Sequence, residues 1–425
     1  MSTPSYARLG SANTFDTALR NISQRQTSLS NLQENLTSGK RVVRASDDPT
    51  SAAQAERALT RLSRIATDQR ALASQTNSIA MAESTLGDVT SALQSFRELV
   101  VSAGNGTFTQ KDRQTVALQL QGLRDQIFNL SNQKDTNGLP LFSALGSALT
   151  PFVGPAAEPL DYTFNGLPGQ AASGTVSIPF ALDGDSAFML QTARDGVFNV
   201  QLGNAASTLR TDAVVVKNSA LLTPGSSYAI SNISAPLAGA TAGTSYVTYT
   251  VTETLANGLP GTTLLAQQGS DYPTIGGTIA IDVPNKTAPG LSFNITGTPA
   301  IGDIVNVSPS PSIFSVLDDA IRGIGSATSS TQASQAVSQA LGNIDIGANR
   351  VSAVRGQAGE LLNRADRISD NQEKRAVQVE GDRARAEDLD MIKGISDFQN
   401  QQTGYQAALQ SYAQVQKLSL FNYIS

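Results

Sequence analysis

The sequence predicts an α+β multidomain protein whose long N- and C-terminal helices pair into a coiled-coil rod and flank an inserted β-rich domain. Proline gives the first observation, because fourteen of the seventeen prolines lie between Pro151 and Pro311. Proline breaks helix interiors, so the proline-free runs 50–139 and 312–425 can form long helices. The second observation is the helical spacing of apolar residues in those runs. The third is the alternating, β-branched sequence between them.

The N-terminal arm contains the apolar stripes of two long helices. The first stripe follows a rhythm of threes, fours and sevens through Phe15, Leu19, Ile22, Leu29 and Leu36. In the second stripe an apolar residue recurs at every seventh position, through Ile65, Leu72, Ile79, Leu86, Leu93 and Val100. The alternate positions of that seam are weaker, as at Gln69, Thr76 and Glu83, so this is half of a coiled-coil heptad pattern.

Glycines and capping residues predict where the helices of this arm end and begin. Gly104 closes the second helix, and Thr109 with Asp112 forms a capping pattern for a third. The apolar residues of the third helix follow at alternating spacings of four and three, through Val116, Leu120, Leu123, Ile127 and Leu130. The sequence from Asp135 to Gly138 then predicts the turn that ends this arm.

The C-terminal arm mirrors the N-terminal one. One stripe follows a three-four rhythm through Val351, Val354, Ala358, Leu361, Ala365 and Ile368. The next runs through Met391, Ile395, Phe398, Gln402, Tyr405, Leu409 and Tyr412. Each helix has one apolar stripe, which it cannot bury alone. The simplest arrangement pairs N-terminal with C-terminal helices, so that the chain runs out and back along one rod.

The middle of the chain has the pattern of β-strands. Residues 246–252, 278–283 and 291–296 alternate, are rich in β-branched residues and are punctuated by Gly, Pro and Asn. We therefore predict three parts. They are a terminal coiled-coil domain of residues 1–48 and 376–425, a helical rod domain of residues 49–142 and 313–375, and a β-rich variable outer domain of residues 143–312.

Charge is concentrated in the middle of the chain. The whole chain has a net charge of −5, and ten acids but only four bases lie between Ser143 and Ser312. The two flanks are therefore almost neutral. This distribution suggests that the middle faces water and that the arms face protein. No basic cluster stands out, so we expect no nucleic-acid partner.

Composition excludes further classes of function. The chain has no cysteine and no histidine, which removes disulfides, thiolate zinc sites and the usual general base and metal ligand. No run approaches the ~18 apolar residues of a membrane span. Residues 1–10 lack the charged-then-apolar pattern of a leader, so we expect no cleavable secretory signal.

Candidate catalytic and metal-binding residues are few. A peptidase of the H-E-x-x-H type is excluded by the missing histidine, and a two-carboxylate glycosidase would need Glu158, Glu253 and scattered Asp residues. We expect those acids to solvate the surface. The sequence DGDSAF resembles a calcium loop, but Phe188 stands where an EF-hand requires glycine. We therefore predict no enzyme, no cofactor and no metal.

The segment SGKRVVRASDDP, residues 38–49, is the most informative motif. Gly39 can end the first helix, and Ser46, Asp47 or Asp48 can cap the helix that Pro49 opens. A metal site at the two acids is the less favoured reading, because acids before a helix start are ordinary capping residues.

Three segments together resemble one protein family. SGKRVVRASDDPTSAAQA resembles the signature that joins the terminal and adjacent helical domains of the flagellin superfamily. The tail YQAALQSYAQVQKLSLFNYIS resembles the end of its hook–filament junction members, also called third hook-associated proteins. DTNGLPLFSAL, residues 135–145, resembles the turn where their helical domain meets the β domain. The resemblance covers both arms and leaves the middle out.

This resemblance implies a structural role outside the cell. Members pass unfolded through the flagellar type III export apparatus with a chaperone on the C-terminal helix, and then form a homo-oligomeric ring. Such a ring has hook-associated protein 1 on its hook side and flagellin on its filament side. The residues expected to contact subunits or the chaperone are Leu29, Leu36, Leu409, Tyr412, Val415, Leu418, Leu420 and Phe421.

Two alternatives stay open at this point. The chain could be flagellin itself, although flagellins tend to end without a tail of the QKLSLFNYI type. It could also act as a surface adhesin or glycan-binding protein through the acidic β domain.

Overall fold

The structure is a computed structural model that describes residues 5–156, 161–204, 207–273, 278–282 and 290–424. Side chains are described in these ranges except at 5–15, 193, 221, 262–282 and 415–424. The chain divides into two compact units, residues 1–70 with 369–425 and residues 71–368. The boundaries of the three predicted domains stay a prediction.

Long helices form both arms, as predicted. The α-helices of the described residues are α1 (Ser5–Ser38), α2 (Pro49–Ala103), α3 (Gln110–Ser131), α4 (Gly184–Phe188), α5 (Thr192–Asp195), α6 (Ile313–Ser326), α7 (Ser330–Glu387) and α8 (Met391–Ile424). In the part of the chain that the structure describes, no helix is long and apolar enough to cross a bilayer. The α+β class, with helical arms around a β-rich middle, is confirmed.

Local capping residues set the ends of several helices. Gly39 has φ +69°, a left-handed conformation that costs glycine little, and α1 ends just before it. Thr109 and Asp112 form a reciprocal capping box at the start of α3. Ser312 caps α6, since its hydroxyl accepts the N–H of Ser315 at 3.0 Å. The predicted end of α1 and the predicted start of α3 are therefore confirmed, and the cap at Ser312 is added by the structure.

The middle forms antiparallel sheets. Its strands are β1 (Phe152–Val153), β2 (Thr163–Phe164), β3 (Phe198–Leu202), β4 (Arg210–Thr211), β5 (Val215–Val216), β6 (Ser227–Ser231), β7 (Leu237–Ala238), β8 (Thr244–Thr254), β9 (Pro260–Pro273), β10 (Thr278–Asp282), β11 (Leu291–Thr296) and β12 (Val305–Pro309). The larger sheet has the order β3-β12-β6-β8-β7, and β9 also pairs with β8. A second sheet has the order β10-β11-β4, with β5 also on β11, and β1 pairs with β2 in a separate two-stranded sheet. The three predicted strands are β8, β10 and β11, which confirms them.

The second unit has a helical core and a β core. The apolar stripe of α2 is buried from Leu72 to Val100, with α7 residues such as Val351 in the same cluster. Ion pairs link the two helices on the surface, at 2.9 Å between Arg97 Nε and Asp345 Oδ1. In the β core, β8 contributes Val251 and β11 contributes Phe293, so the two sheets share one apolar interior.

An aromatic cluster lies where the helices of this unit meet the start of the middle region. The ring of Phe314, on α6, lies 5.1 Å from that of Tyr162 and 5.3 Å from that of Phe128, centroid to centroid. The rings of Phe152 and Phe188 lie 5.7 Å away. Offset and edge contacts of this kind add to the energy of plain burial. Phe314 is thus the centre of the cluster.

A polar network lies beside this cluster. The hydroxyl of Tyr162 donates to Asp318 Oδ2 at 2.6 Å, and Arg124 Nη1 donates to the same hydroxyl at 3.1 Å. Arg124 Nε also lies 3.0 Å from Asp318 Oδ1. Burial raises the pKa of Asp318, and the hydrogen bond from Tyr162 and the charge of Arg124 oppose that effect. The network ties α3 and α6 to the segment before β2.

The neighbouring Asp319 predicts a pH dependence of stability. Its carboxylate accepts from Arg322 Nη2 at 3.1 Å and from Ser310 Oγ at 3.3 Å. Burial raises the pKa of Asp319 from 3.8 to about 6, and Arg322 opposes only part of that effect. Between those values the folded state holds a proton that the unfolded state has released. The stabilising contribution of protonated Asp319 to the free energy of unfolding is therefore complete below pH 3.8 and is lost as pH rises through about 6.

We expect Asp319 to lower the free energy of unfolding by about 2–3 kcal/mol as pH rises from 4 to 6. Urea unfolding of the full chain at a series of pH values measures this step. Asp319→Asn should remove it, because the amide stays neutral throughout. The exposed Asp88→Asn is the control and should leave it. If the free energy of unfolding of Asp319→Asn still fell by the same amount between pH 4 and 6, Asp319 would not be its cause.

Candidate assembly surface

Helices α1 and α8 pair in an antiparallel manner. A Cβ placed on Gly394, near the start of α8, would lie 3.2 Å from Leu36 Cδ2, near the end of α1. A Cβ on Gly404 would lie 2.7 Å from an Nη of Arg25. These contacts advance along α8 while they go back along α1, so the two helices run in opposite directions. The predicted pairing of N-terminal with C-terminal helices is confirmed here.

This pairing leaves the apolar stripes of both helices partly exposed. None of the described apolar side chains of α1 or α8 is buried. Ile395 keeps 46% of its surface exposed and Leu409 41%, and both lie on the predicted stripe of α8. Ile392, which follows the stripe residue Met391 on α8, is 85% exposed. A soluble helix normally buries such a stripe, so this face of the pair is the candidate assembly surface.

The structure places half of the predicted contact residues on this surface. Leu409 is exposed, and Leu29, Leu36 and Tyr412 are partly exposed. Leu36 also packs beside Gly394 within the chain. The remaining predicted residues belong to α8, but their side chains lie outside the described part: Val415, Leu418, Leu420 and Phe421. Their role stays a prediction.

The turn between α1 and α2 is bound to the turn between α7 and α8. The N–H of Arg41 donates to the carbonyl of Glu387 at 2.7 Å, and the N–H of Leu389 donates to the carbonyl of Gly39 at 2.9 Å. The side chain of Lys40 forms an ion pair with Glu387. Val42 is buried at this place. The two breaks in the helical arms therefore lie side by side and form a short antiparallel bridge.

Asp48 is the acid that caps α2. Its Oδ1 accepts the N–H groups of Thr50 at 3.2 Å and Ser51 at 3.1 Å, which are orphan donors of the first helical turn. Its Oδ2 accepts from the Ser51 hydroxyl at 2.6 Å and from Arg41 Nη1 at 3.3 Å. Hydrogen bonds from Ser51 and Thr50 hold the pKa of Asp48 well below its usual range. Asp47 instead binds the N–H of Arg44 within the turn, at 2.8 Å.

Arg41 joins the cap to the opposite turn, which the sequence did not reveal. Its side chain keeps 46% of its surface exposed and forms hydrogen bonds to both turns at the same time. Its Nη2 donates to the carbonyl of Ala386 at 2.8 Å and to the hydroxyl of Ser51 at 3.0 Å. A guanidinium has enough donors in a fixed fork to reach three partners at once.

Replacing Arg41 is expected to loosen the bridge. In Arg41→Ala the amide N–H groups of Val42 and Leu389 should exchange with solvent several-fold faster, because local opening of the two turns becomes easier. Hydrogen exchange of the full chain, followed by mass spectrometry or NMR, measures this. Arg44→Ala is the matched control, since the Arg44 side chain forms its ion pair with Glu34 of α1, at 2.6 Å, and not with the opposite turn among the described residues. Equal exchange in both variants would contradict the role of Arg41.

A second set of residues that sequence reasoning missed attaches the β-rich part to α7. Gln335 and Gln339 are buried, and their Oε1 atoms accept the N–H groups of Thr211 at 2.7 Å and Val200 at 2.8 Å. Asn343 donates from Nδ2 to a main-chain carbonyl of β3 at 2.9 Å. The spacing of four places these amides on one face of the helix. The repeat of amide side chains at a spacing of four, ahead of the predicted stripe that begins at Val351, was the available sign.

The fold defines a class of protein in which the two ends of one chain form paired helical arms and a β-rich region is inserted between them. Two family descriptions match the N-terminal and the C-terminal arm, respectively. They are the bacterial flagellin N-terminal helical region at residues 12–146 and the bacterial flagellin C-terminal helical region at residues 341–424. Together they cover just over half of the chain. The chain belongs to the bacterial flagellin family.

Particular relatives resemble the chain in sequence and fold. It is 36% identical over 147 residues to flagellar hook-associated protein 3 of Salmonella typhimurium, which covers 34% of this chain and 46% of that protein. It is 32% identical over 191 residues to the protein of the same name from Escherichia coli, covering 44% and 56%. These alignments span about half the length of each relative.

The fold matches a solved structure as well. The crystal structure of flagellar hook associated protein-3 from Legionella pneumophila superposes with a TM-score of 0.56 at 22% identity. The superposition covers 77% of this chain and 97% of that one. At this level of identity the likeness shows the fold.

Proposed function

We propose that the chain is a structural subunit of the bacterial flagellum and forms the adaptor ring that joins the hook to the filament. The observation that carries this proposal is the partly exposed apolar stripe of α1 and α8, on which no described apolar side chain is buried. Exposed apolar helix faces of this kind generally bind a partner helix.

Neighbouring subunits are the partners that fit this surface. The α1–α8 pair of one subunit would pack on the same pair of the next, so that the stripes are buried between chains. Leu29, Leu36, Leu409 and Tyr412 would lie in those contacts, together with Val415, Leu418, Leu420 and Phe421. Before assembly the same stripe of α8 would bind the flagellar export chaperone. In the ring, hook-associated protein 1 and flagellin would be the neighbours on the hook and filament sides.

The names of the relatives favour the junction subunit over flagellin. Two of them are called flagellar hook-associated protein 3, and the tail that ends this chain resembles that group. In this role the chain acts outside the cell, as part of the flagellum, and catalyses no reaction. Assembly by helix packing requires no catalytic group, cofactor or metal.

Deletion of the gene tests the proposal. Electron microscopy of the mutant cells and an immunoblot for flagellin in the medium are the two measurements. We expect hooks without filaments and soluble flagellin in the medium, because export continues while attachment fails. Hooks without filaments and without flagellin in the medium would identify the filament subunit instead. Intact filaments would contradict both roles.

A further inference from the structure

The β-rich part contains three buried side-chain oxygens that have no hydrogen-bond partner in the described structure. They are Oγ of Ser226, the hydroxyl of Tyr228 and Oε1 of Glu253. The three residues expose only 1%, 4% and 6% of their surface, respectively. We had expected Glu253 to face water, which is wrong. Its position on β8 continues the alternation that buries Tyr249 and Val251.

Two of these side chains lie opposite each other at one end of the larger sheet. Tyr228 and Glu253 are direct partners in the register of β6 and β8, which places their Cβ atoms about 5 Å apart. Ser226 lies just before β6, two residues from Tyr228, and is also buried. On the other side of Glu253, a Cβ on Gly261 would lie 2.9 Å from Oε2, so the backbone of β9 closes over the carboxylate.

A buried carboxylate with an unpartnered oxygen, here Oε1 of Glu253, is costly to the fold. Burial without a hydrogen bond removes the hydration of the group, and no protein interaction compensates for that loss. No lysine or arginine forms an ion pair with Glu253 among the described residues. Burial, together with the charge of Glu253, raises the pKa of Tyr228 to about 12, and the main-chain N–H of Thr223 opposes only part of that effect, so the phenol stays neutral. Unsatisfied buried groups in native proteins generally have a water or an ion between them.

We propose that Ser226, Tyr228 and Glu253 bind a hard metal cation of the calcium class, with the carboxylate as the charged ligand and the two hydroxyls as neutral ligands. Oxygen donors without nitrogen or sulfur are the set that such cations prefer. The excess of acids in residues 143–312 favours a cation over an anion there.

The expected affinity is low. No group of three or more acidic side chains lies together in the part of the chain that the structure describes, so the site has one carboxylate. With so little ligand charge the dissociation constant belongs in the range of about 0.1–1 mM. Water and main-chain carbonyls would complete the coordination. Two turns that flank the cluster can supply them, since a Cβ on Gly225 would lie 2.8 Å from Cβ of Ala256.

Thermal unfolding of the full chain, stripped of metal with a chelator, tests the site. About 10 mM CaCl2, roughly ten times the expected dissociation constant, should raise the unfolding temperature by about 2–4 °C over NaCl of equal ionic strength. Glu253→Gln should lose that rise, and the exposed Glu98→Gln, which makes the same chemical change on α2, should keep it. No rise in the native chain, or an equal rise in Glu253→Gln, would overturn the proposal.

Terbium luminescence provides a second measurement in case Glu253→Gln fails to fold. Terbium(III) replaces calcium at oxygen sites and emits when an adjacent tyrosine absorbs. We expect sensitised emission from the native chain that calcium displaces, and its loss in Tyr228→Phe, which keeps the aromatic ring in the core. Tyr246→Phe, on the opposite face of β8, should retain the emission. Emission that persists in Tyr228→Phe would place the ion elsewhere and refute the site.

Discussion

Cells that produce the chain with Ile395→Asp and Leu409→Asp are expected to have hooks without filaments and to release flagellin into the medium. Both side chains are exposed in the single chain, at 46% and 41%, and both lie on the stripe of α8. Burying a side chain of this size contributes about 1.5–3 kcal/mol, and a buried aspartate would add a penalty of its own. The double variant should therefore weaken each subunit contact by at least ~3 kcal/mol, or roughly a hundredfold.

The same variant should leave the isolated chain folded, because neither side chain belongs to a core. Circular dichroism and urea unfolding of the purified chain check that point. Leu237→Asp with Ile301→Asp is the matched control, since it places two aspartates on exposed apolar positions of the β-rich part, at 54% and 82% exposure. The control should assemble normally. Swimming cells with normal filaments in the α8 variant would show that this stripe is not an assembly contact.

Phe314→Ala is expected to destabilise the second unit by about 3–5 kcal/mol, the cost of emptying a large aromatic position in a packed core. Phe314 has no exposed surface, and its ring contacts those of Phe128, Phe152, Tyr162 and Phe188. Removing it leaves a cavity where α3, α6 and the start of the middle region meet. Urea unfolding followed by near-ultraviolet circular dichroism of the aromatic residues measures the loss.

A second Phe→Ala variant at an exposed position separates the effect of emptying a buried site from the effect of losing a phenyl ring. Phe180 is 48% exposed, so Phe180→Ala should change the free energy of unfolding by less than about 1 kcal/mol. A loss in Phe314→Ala as small as that of the control would mean that the aromatic cluster contributes little. It would also mean that the helical core alone holds this region together.

The candidate assembly surface was predictable because its information is local. Apolar spacing identified the stripe of α8, and Leu409 lies on it as predicted. The exposure of that stripe could not be read from spacing, because a covered stripe and an uncovered one have the same sequence pattern. The structure adds that no described apolar side chain of α1 or α8 is buried.

Polar side chains were the hardest to predict. Glu253 was expected in water, as its charge suggests on average, but it lies in the core face of β8. Arg41 is exposed as expected, yet it also reaches the carbonyl of Ala386, far along the chain. Their neighbours come from distant segments, and no local pattern encodes such contacts. Gln335 and Gln339 went unnoticed for the same reason.

The sequence by itself determined the helical arms, their ends and the family. Proline placement, the spacing of apolar residues and the caps at Gly39 and Thr109 act within a few residues of one another, so they can be read directly. Tertiary structure alone decided the order and register of the strands and the attachment of the β-rich part to α7. Pairings such as Tyr228 with Glu253 join residues from separate strands. Their geometry is fixed only when the whole core packs, because many registers satisfy the same alternating pattern.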